Sequence, residues 1–164
     1  MKYFAYGSNM SEARLRGRVS SAITMGAFVL EKHELRFHKI SYKDGSAKCD
    51  AYLTGSGDDF IMGVLFDFEA SEKADLDRCE GLGNGYSEKD ISIVGSDGVA
   101  ETAFTYYATA IDESLKPFCW YKHHVLVGAE SANLPSEYIL RIQAIDTDED
   151  LDEQRKATEL AIYR

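Results

Sequence analysis

Apolar and polar residues alternate in short runs over the first two thirds of the chain, then change to a helical period. Lys2 to Tyr6 predicts a short strand, and Ser11 to Arg16 one or two helical turns, with Asn9 or Ser11 as the N-cap. From Ala22 to Ile40 the pattern is strand-like with interruptions, carrying Ile23, Met25, Phe28, Val29 and Leu30, then Leu35 and Phe37. Ala47 to Leu53 and Phe60 to Phe68 predict further strands, joined by the turn residues Gly55 to Asp58. Ser71 is placed to cap an acidic helix, SEKADLDRCE, that stops at Gly81. Tyr86 to Val94 and Ala100 to Ala108 then read as two strands of a hairpin turning at Ser96-Asp97-Gly98.

Beyond Lys116 the helical period takes over. Pro117 opens a segment through Val127 and Pro135 another through Ile145, each proline at a helix start. Thr147, followed by Asp148, Glu149 and Asp150, has the form of an N-cap with an acidic first turn. Strands first and helices late predict an α+β fold with a mostly antiparallel sheet or barrel. At 164 residues, with two prolines and no low-complexity run, the chain is expected to form one domain over 1–164.

Charge narrows the partners. With 28 acids against 18 bases the net charge is −10, which repels phosphate backbones and anionic lipid, so neither nucleic acid nor membrane is expected as a partner. The one basic group, Arg14, Arg16 and Arg18, reads as a solvated helix face. Cys49, Cys79 and Cys119 are far apart and form no CxxC, so we expect reduced, mostly buried thiols and no metal site. The N-terminus lacks the regions of a signal peptide and no apolar run reaches membrane length; a cytoplasmic protein is expected.

Three segments could carry chemistry. Gly81-Leu82-Gly83-Asn84-Gly85 looks like a nucleotide loop, but it runs from a helix into a strand, the reverse of the order that aims helix amides at a pyrophosphate. Glu80, last in its helix, faces the negative end of the helix dipole. Two readings of it stay open: an exposed acid, or a residue that accepts and returns a proton. Tyr6-Gly7-Ser8-Asn9, straight after a strand, is either a strand end running into a helix cap or a nest of backbone N–H groups that holds a carboxylate or an oxyanion. His33, His38, His123 and His124 read as surface or packing residues, and Ser8 has no histidine partner identifiable in the sequence.

The string YFAYGSNM, with LDRCEGLGNGY (Leu76 to Tyr86), resembles the γ-glutamylcyclotransferases, and YKHHVLVGAESANLPSEY (Tyr121 to Tyr138) is similar to the branch acting on γ-glutamyl amino acids. The resemblance runs from Tyr3 to about Ile145. It implies a small, mostly antiparallel β-barrel with flanking helices, and cleavage of a γ-glutamyl amide with release of 5-oxoproline, needing no cofactor or metal. It implies that Tyr3, Phe4, Ala5, Tyr6, Gly7 and Ser8, with Asn9 beside them, hold the glutamyl group. Glu80 would be the acid/base, and Tyr86, Tyr107 and Tyr121 would line the pocket. It also allows a homodimer. Relatives with the same motif act on γ-glutamylamines or remove a γ-glutamyl protecting group from a small-molecule product, and the motif does not choose among these leaving groups. A rival of another class is a non-catalytic module binding a small anionic metabolite. An intact Glu80 argues against it, because binding alone has little use for a carboxylate beside an anion.

Overall fold

A computed structural model describes residues Met1–Arg164. Five strands close a barrel: β1 (Lys2–Ala5), β2 (Ile23–Glu31), β5 (Phe60–Asp67), β6 (Tyr86–Gly95) and β7 (Ala100–Ala108). Their order around the barrel is β1-β5-β2-β6-β7. Every neighbouring pair is antiparallel except the seam, where β1 meets β7 in parallel at Tyr3 and Phe104. Two further strands, β3 (His33–Ile40) and β4 (Ala47–Leu53), form a separate antiparallel hairpin. The interrupted stretch 22–40 is thus two strands in different sheets, broken at Lys32, whose φ of 61° turns the chain.

The core lies inside and under the barrel. Phe4, Ile61, Val64, Leu65, Phe66 and Ile93 are fully enclosed there. Burial of such side chains stabilises by roughly 1.5–3 kcal/mol each, before the entropy of ordering them is subtracted. Short helices flank the barrel: α1 (Glu12–Arg16), α2 (Lys73–Glu80), α3 (Cys119–Ser131), α4 (Ser136–Gln143) and α5 (Glu153–Leu160). None is long and apolar enough to cross a membrane.

Two contacts set the position of the N-terminal motif. Ser11 caps α1 by accepting from the Arg14 amide, which is worth about 1 kcal/mol. The helix α3 crosses directly over this turn. A Cβ at Gly128 would sit 2.4 Å from Met10 Cβ and 2.5 Å from Ser11 N, so only glycine allows the crossing.

Several local expectations are corrected. Ser71 caps nothing; a 3₁₀ turn over Ala70–Glu72 leads into α2, and the Glu72 carboxylate instead accepts the amides and hydroxyls of Ser20 and Ser21. Pro135 is the residue before α4 and Pro117 lies two residues before α3, so neither is the first helical residue. Thr147 is not a cap either. The last helix starts after Asp152, which accepts from the Arg155 amide at 2.9 Å. Asp150 is buried instead, taking both Arg155 and the Trp120 indole N–H, because a carboxylate so enclosed needs charged and polar donors around it. Of the cysteines only Cys49 is buried; Cys79 is exposed and Cys119 half-buried, all three as free thiols.

Candidate active site

The end of β1 opens into a 3₁₀ turn over Ser8–Met10, closed by Met10 N–H to Gly7 O (3.0 Å) and Ser11 N–H to Ser8 O (3.3 Å). The first amides of such a turn have no partner within it, and the Gly7 amide has no backbone acceptor. Gly7 itself is packed against β4: a Cβ there would lie 3.0 Å from Cys49 Cβ and 3.4 Å from the Tyr121 hydroxyl. The close approach that glycine permits here is to the protein wall.

Around this turn lies a small inner chamber lined by Tyr3, Tyr6, Gly7, Ser8, Asn9, Cys49, Glu80, Tyr86, Tyr106 and Tyr121. Its tyrosines are tied down. Tyr6 donates to Tyr106 O (2.6 Å), Tyr86 to Cys49 O (2.5 Å) and Tyr106 to Asp77 Oδ1 (2.6 Å). Tyr121 accepts from the Cys49 amide (3.1 Å), and Tyr3 accepts from Asn9 Nδ2 (3.1 Å). Burial pushes all five phenols well above their usual pKa, so they stay protonated and serve as neutral hydrogen-bonding groups. Burial likewise pushes the Cys49 thiol up to about 12, which removes it as a thiolate nucleophile near neutral pH.

Glu80 ends α2, and the left-handed Gly81 (φ 76°) stops the helix there. Its Oε1 accepts from Asn9 Nδ2 at 3.0 Å and from Arg18 Nη1, while Arg18 Nη1 also donates to Asn9 Oδ1 at 2.9 Å. Oε2 takes no hydrogen bond from the protein. The Glu80 and Arg18 side chains are only 16% and 18% exposed. The carboxylate is therefore held by one oxygen and open at the other.

Glu80 also borders a second, outer cavity of about 190 Å³. Ser8, Tyr86 and Tyr121 are shared between the two chambers. The outer wall is charged. Arg14, Arg18, Lys39, Lys43 and Lys48 stand against Asp44, Glu80 and Glu159, a local cationic excess on a chain of net charge −10. Arg14 is braced from the far end of the chain by Glu159 (2.5 Å) and by His124 (3.1 Å), and Tyr163 bridges His124 Nδ1 and Ser11 Oγ. No histidine lines either chamber, so Ser8 has no base beside it. No cluster of His, Cys, Asp and Glu is placed to hold a metal ion.

Tyr3, Tyr6, Gly7, Ser8, Asn9, Glu80, Tyr86 and Tyr121 thus lie together around the two chambers. Phe4 and Ala5 do not reach the chamber; both are fully buried in the barrel core. Tyr107 does not reach it either. Neighbouring strand residues face opposite ways, so Tyr106 enters the chamber while Tyr107 lies under Lys89 (Nζ 5.2 Å from the ring). Nor is the arginine group a solvated face: Arg14 and Arg18 point into the site and only Arg16 stays exposed. The signal for this was their spacing of four beside the turn, in an acidic chain.

A family model described as the AIG2-like family matches residues 60–142. The chain is similar to the γ-glutamylcyclotransferase of Mus musculus, 31% identical over 150 residues that span 90% of this chain and 79% of that protein. The Bos taurus γ-glutamylcyclotransferase is 29% identical over 147 residues, 88% of this chain and 78% of that one. Among solved structures, one titled gamma-glutamyl cyclotransferase superposes with a TM-score of 0.86 at 25% identity, covering 98% of both chains.

Proposed function

The chain belongs to the γ-glutamylcyclotransferase family, and from the geometry of its site we propose that it converts γ-glutamyl amino acids into 5-oxoproline and the free amino acid, with Glu80 as the proton carrier. The observation that carries this assignment is the open Oε2 of Glu80, on a carboxylate oriented through Oε1 and bordering both chambers.

A γ-glutamyl compound carries its own nucleophile. The α-amine attacks the γ-carbonyl carbon, a C–N bond forms to close the five-membered ring, and the C–N bond to the leaving amine breaks. No water is consumed. Because the attack is intramolecular, holding the chain in the cyclising conformation can supply on the order of 7–11 kcal/mol of the barrier. The inner chamber, of about 20 Å³, takes only one end of that chain, and the rest lies at the mouth it shares with the outer cavity. Neutral phenols and amides line that end, and the Tyr3 hydroxyl accepts from Asn9 but donates to no protein group, leaving its proton for the ligand.

Glu80 takes a proton from the α-ammonium at Oε2 and gives it to the departing nitrogen across the chamber boundary. The second proton, shed by the attacking nitrogen once the ring has closed, passes to the released amine by the same carboxylate, so that the amine leaves as an ammonium and Glu80 ends ionised. Positioned proton transfer of this kind is worth about 100- to 10,000-fold. The Gly7 and Ser8 amides at the head of the 3₁₀ turn serve the oxyanion, where one donor is worth roughly 100- to 1,000-fold. Glu80→Gln tests the assignment. It keeps the hydrogen bonds that orient the side chain but cannot take a proton. The variant should retain the fold and ligand binding and lose at least about 100-fold in 5-oxoproline formation. Turnover close to that of the unaltered protein removes Glu80 from the mechanism.

A further inference from the structure

The cations of the outer cavity are not equivalent. Arg14 is paired with Glu159, Arg18 with Glu80, and Lys48 with Asp44 at 2.8 Å. Lys43 is exposed to water. Lys39 alone is buried, at 6% exposure, without a carboxylate within 4 Å or a hydrogen bond from Nζ to any protein acceptor. Its ammonium lies 4.5 Å from the centre of the Tyr86 ring, a contact that offsets only part of the cost of taking a charge out of water.

Two features of the backbone place it there. The β3–β4 register shifts between Phe37 and Lys39, a bulge that redirects the side chains at the end of β3. Gly85, at φ 95°, then leaves the space that Lys39 fills: a Cβ at that position would sit 3.0 Å from Lys39 Cε and 3.2 Å from Nζ. The glycine loop after Glu80, which the sequence excludes as a nucleotide site, thus makes room for a buried cation beside the catalytic boundary. Burial holds the lysine pKa below its usual value, against the pull of Glu80, as it does for an ammonium with no anion of its own.

We propose that Lys39 is a specificity-determining residue that binds the carboxylate of the departing amino acid, so that the site selects γ-glutamyl amino acids over γ-glutamylamines. This rests on the cyclotransferase reading of the inner chamber. The glutamyl group enters that chamber by one end with its γ-carbonyl at Glu80, and the leaving group extends into the larger outer cavity where Lys39 stands. An α-carboxylate there completes the ion pair that the free protein lacks. A neutral alkylamine leaves Lys39 unpaired and gains nothing from it.

The test compares γ-glutamyl-alanine with γ-glutamyl-ethylamine, which differ by that carboxylate alone, in the unaltered protein and in Lys39→Met. In the unaltered protein kcat/KM should favour the alanine compound. Lys39→Met should lower kcat/KM for it by about 30-fold or more, the scale of a buried charge pair losing one partner, while ethylamine release changes little. Its melting temperature should stay level or rise, because an unpaired buried charge has been removed. Lys39→Arg should recover part of the preference. Equal losses on both substrates would place Lys39 at the glutamyl end or in the fold and overturn the proposal, as would no loss on either. If the unaltered protein releases 5-oxoproline from neither compound, the cyclotransferase reading itself fails and the assignment of Lys39 falls with it.

Discussion

Tyrosines line the inner chamber and ion pairs line the outer one, although Ser8, Glu80, Tyr86 and Tyr121 border both. The inner wall comes from strand ends and the first turns that follow them, and three of its five tyrosines, Tyr6, Tyr86 and Tyr121, are bonded to backbone groups. The outer wall is assembled from residues as far apart as Arg14 and Glu159, and its contacts are between long, charged side chains. The contrast teaches a division of labour. The part proposed to hold the glutamyl group is enclosed and, apart from Glu80, lined by neutral groups. The part proposed to meet a variable leaving group is charged, and one lysine there would set its preference.

Gly7→Ala would break the inner chamber with the larger effect. The new methyl would meet Cys49 Cβ at 3.0 Å and Sγ at 3.3 Å, which forces the turn away from the wall by a few tenths of an ångström. Misplacement on the scale of 1 Å can cost about 100-fold, so a loss of roughly 10- to 100-fold in kcat is expected. The loss should be equal for γ-glutamyl-alanine and γ-glutamyl-ethylamine, measured by 5-oxoproline release. An effect on one substrate only would mean that the two chambers do not divide the substrate as described.

A smaller effect should come from Glu159, at the outer edge. Burial would raise its pKa, but the neighbouring His124 ring and the charge and hydrogen bond of Arg14 outweigh this and hold it down at about 2, against an ordinary 4.5. A carboxyl depressed in the folded state contributes stability that is complete above its unfolded pKa and lost as pH falls through the folded one. The unaltered protein should therefore melt higher than Glu159→Gln near pH 7, and the gap should close between pH 4.5 and about 2. A gap that stays constant over that interval would show that the Arg14–Glu159 pair does not brace the outer wall. Turnover of γ-glutamyl-ethylamine near neutral pH should change only slightly.

The sequence exposed the parts of this site that are local. The turn after β1 is made by four consecutive residues, Gly7 to Met10, Glu80 stands beside the glycine that ends its helix, and strand alternation with clear turn residues marked β4 and the β6–β7 hairpin at close to their observed bounds. What it hid depends on where side chains point after folding. Tyr106 and Tyr107 differ only in strand parity, and parity is set by the pairing of β7 with β6. The arginines at 14 and 18 read as solvated because their carboxylate partners lie 145 and 62 residues away. Lys39 depends on a bulge and on a glycine in another segment, neither of which has a local signature at the lysine. Tail residues from Thr147 onward matched no motif, yet Glu159 and Tyr163 anchor that segment against α1 and α3 through Arg14, Ser11 and His124.

In the proposed reaction the substrate's own amine is the nucleophile and water takes no part. The most direct measurement is a product analysis of the unaltered protein acting on γ-glutamyl-alanine. 5-Oxoproline and alanine should appear in equal amounts, with no glutamate formed. Glutamate in place of 5-oxoproline would mean that water attacks the γ-carbonyl, and would contradict the proposed reaction.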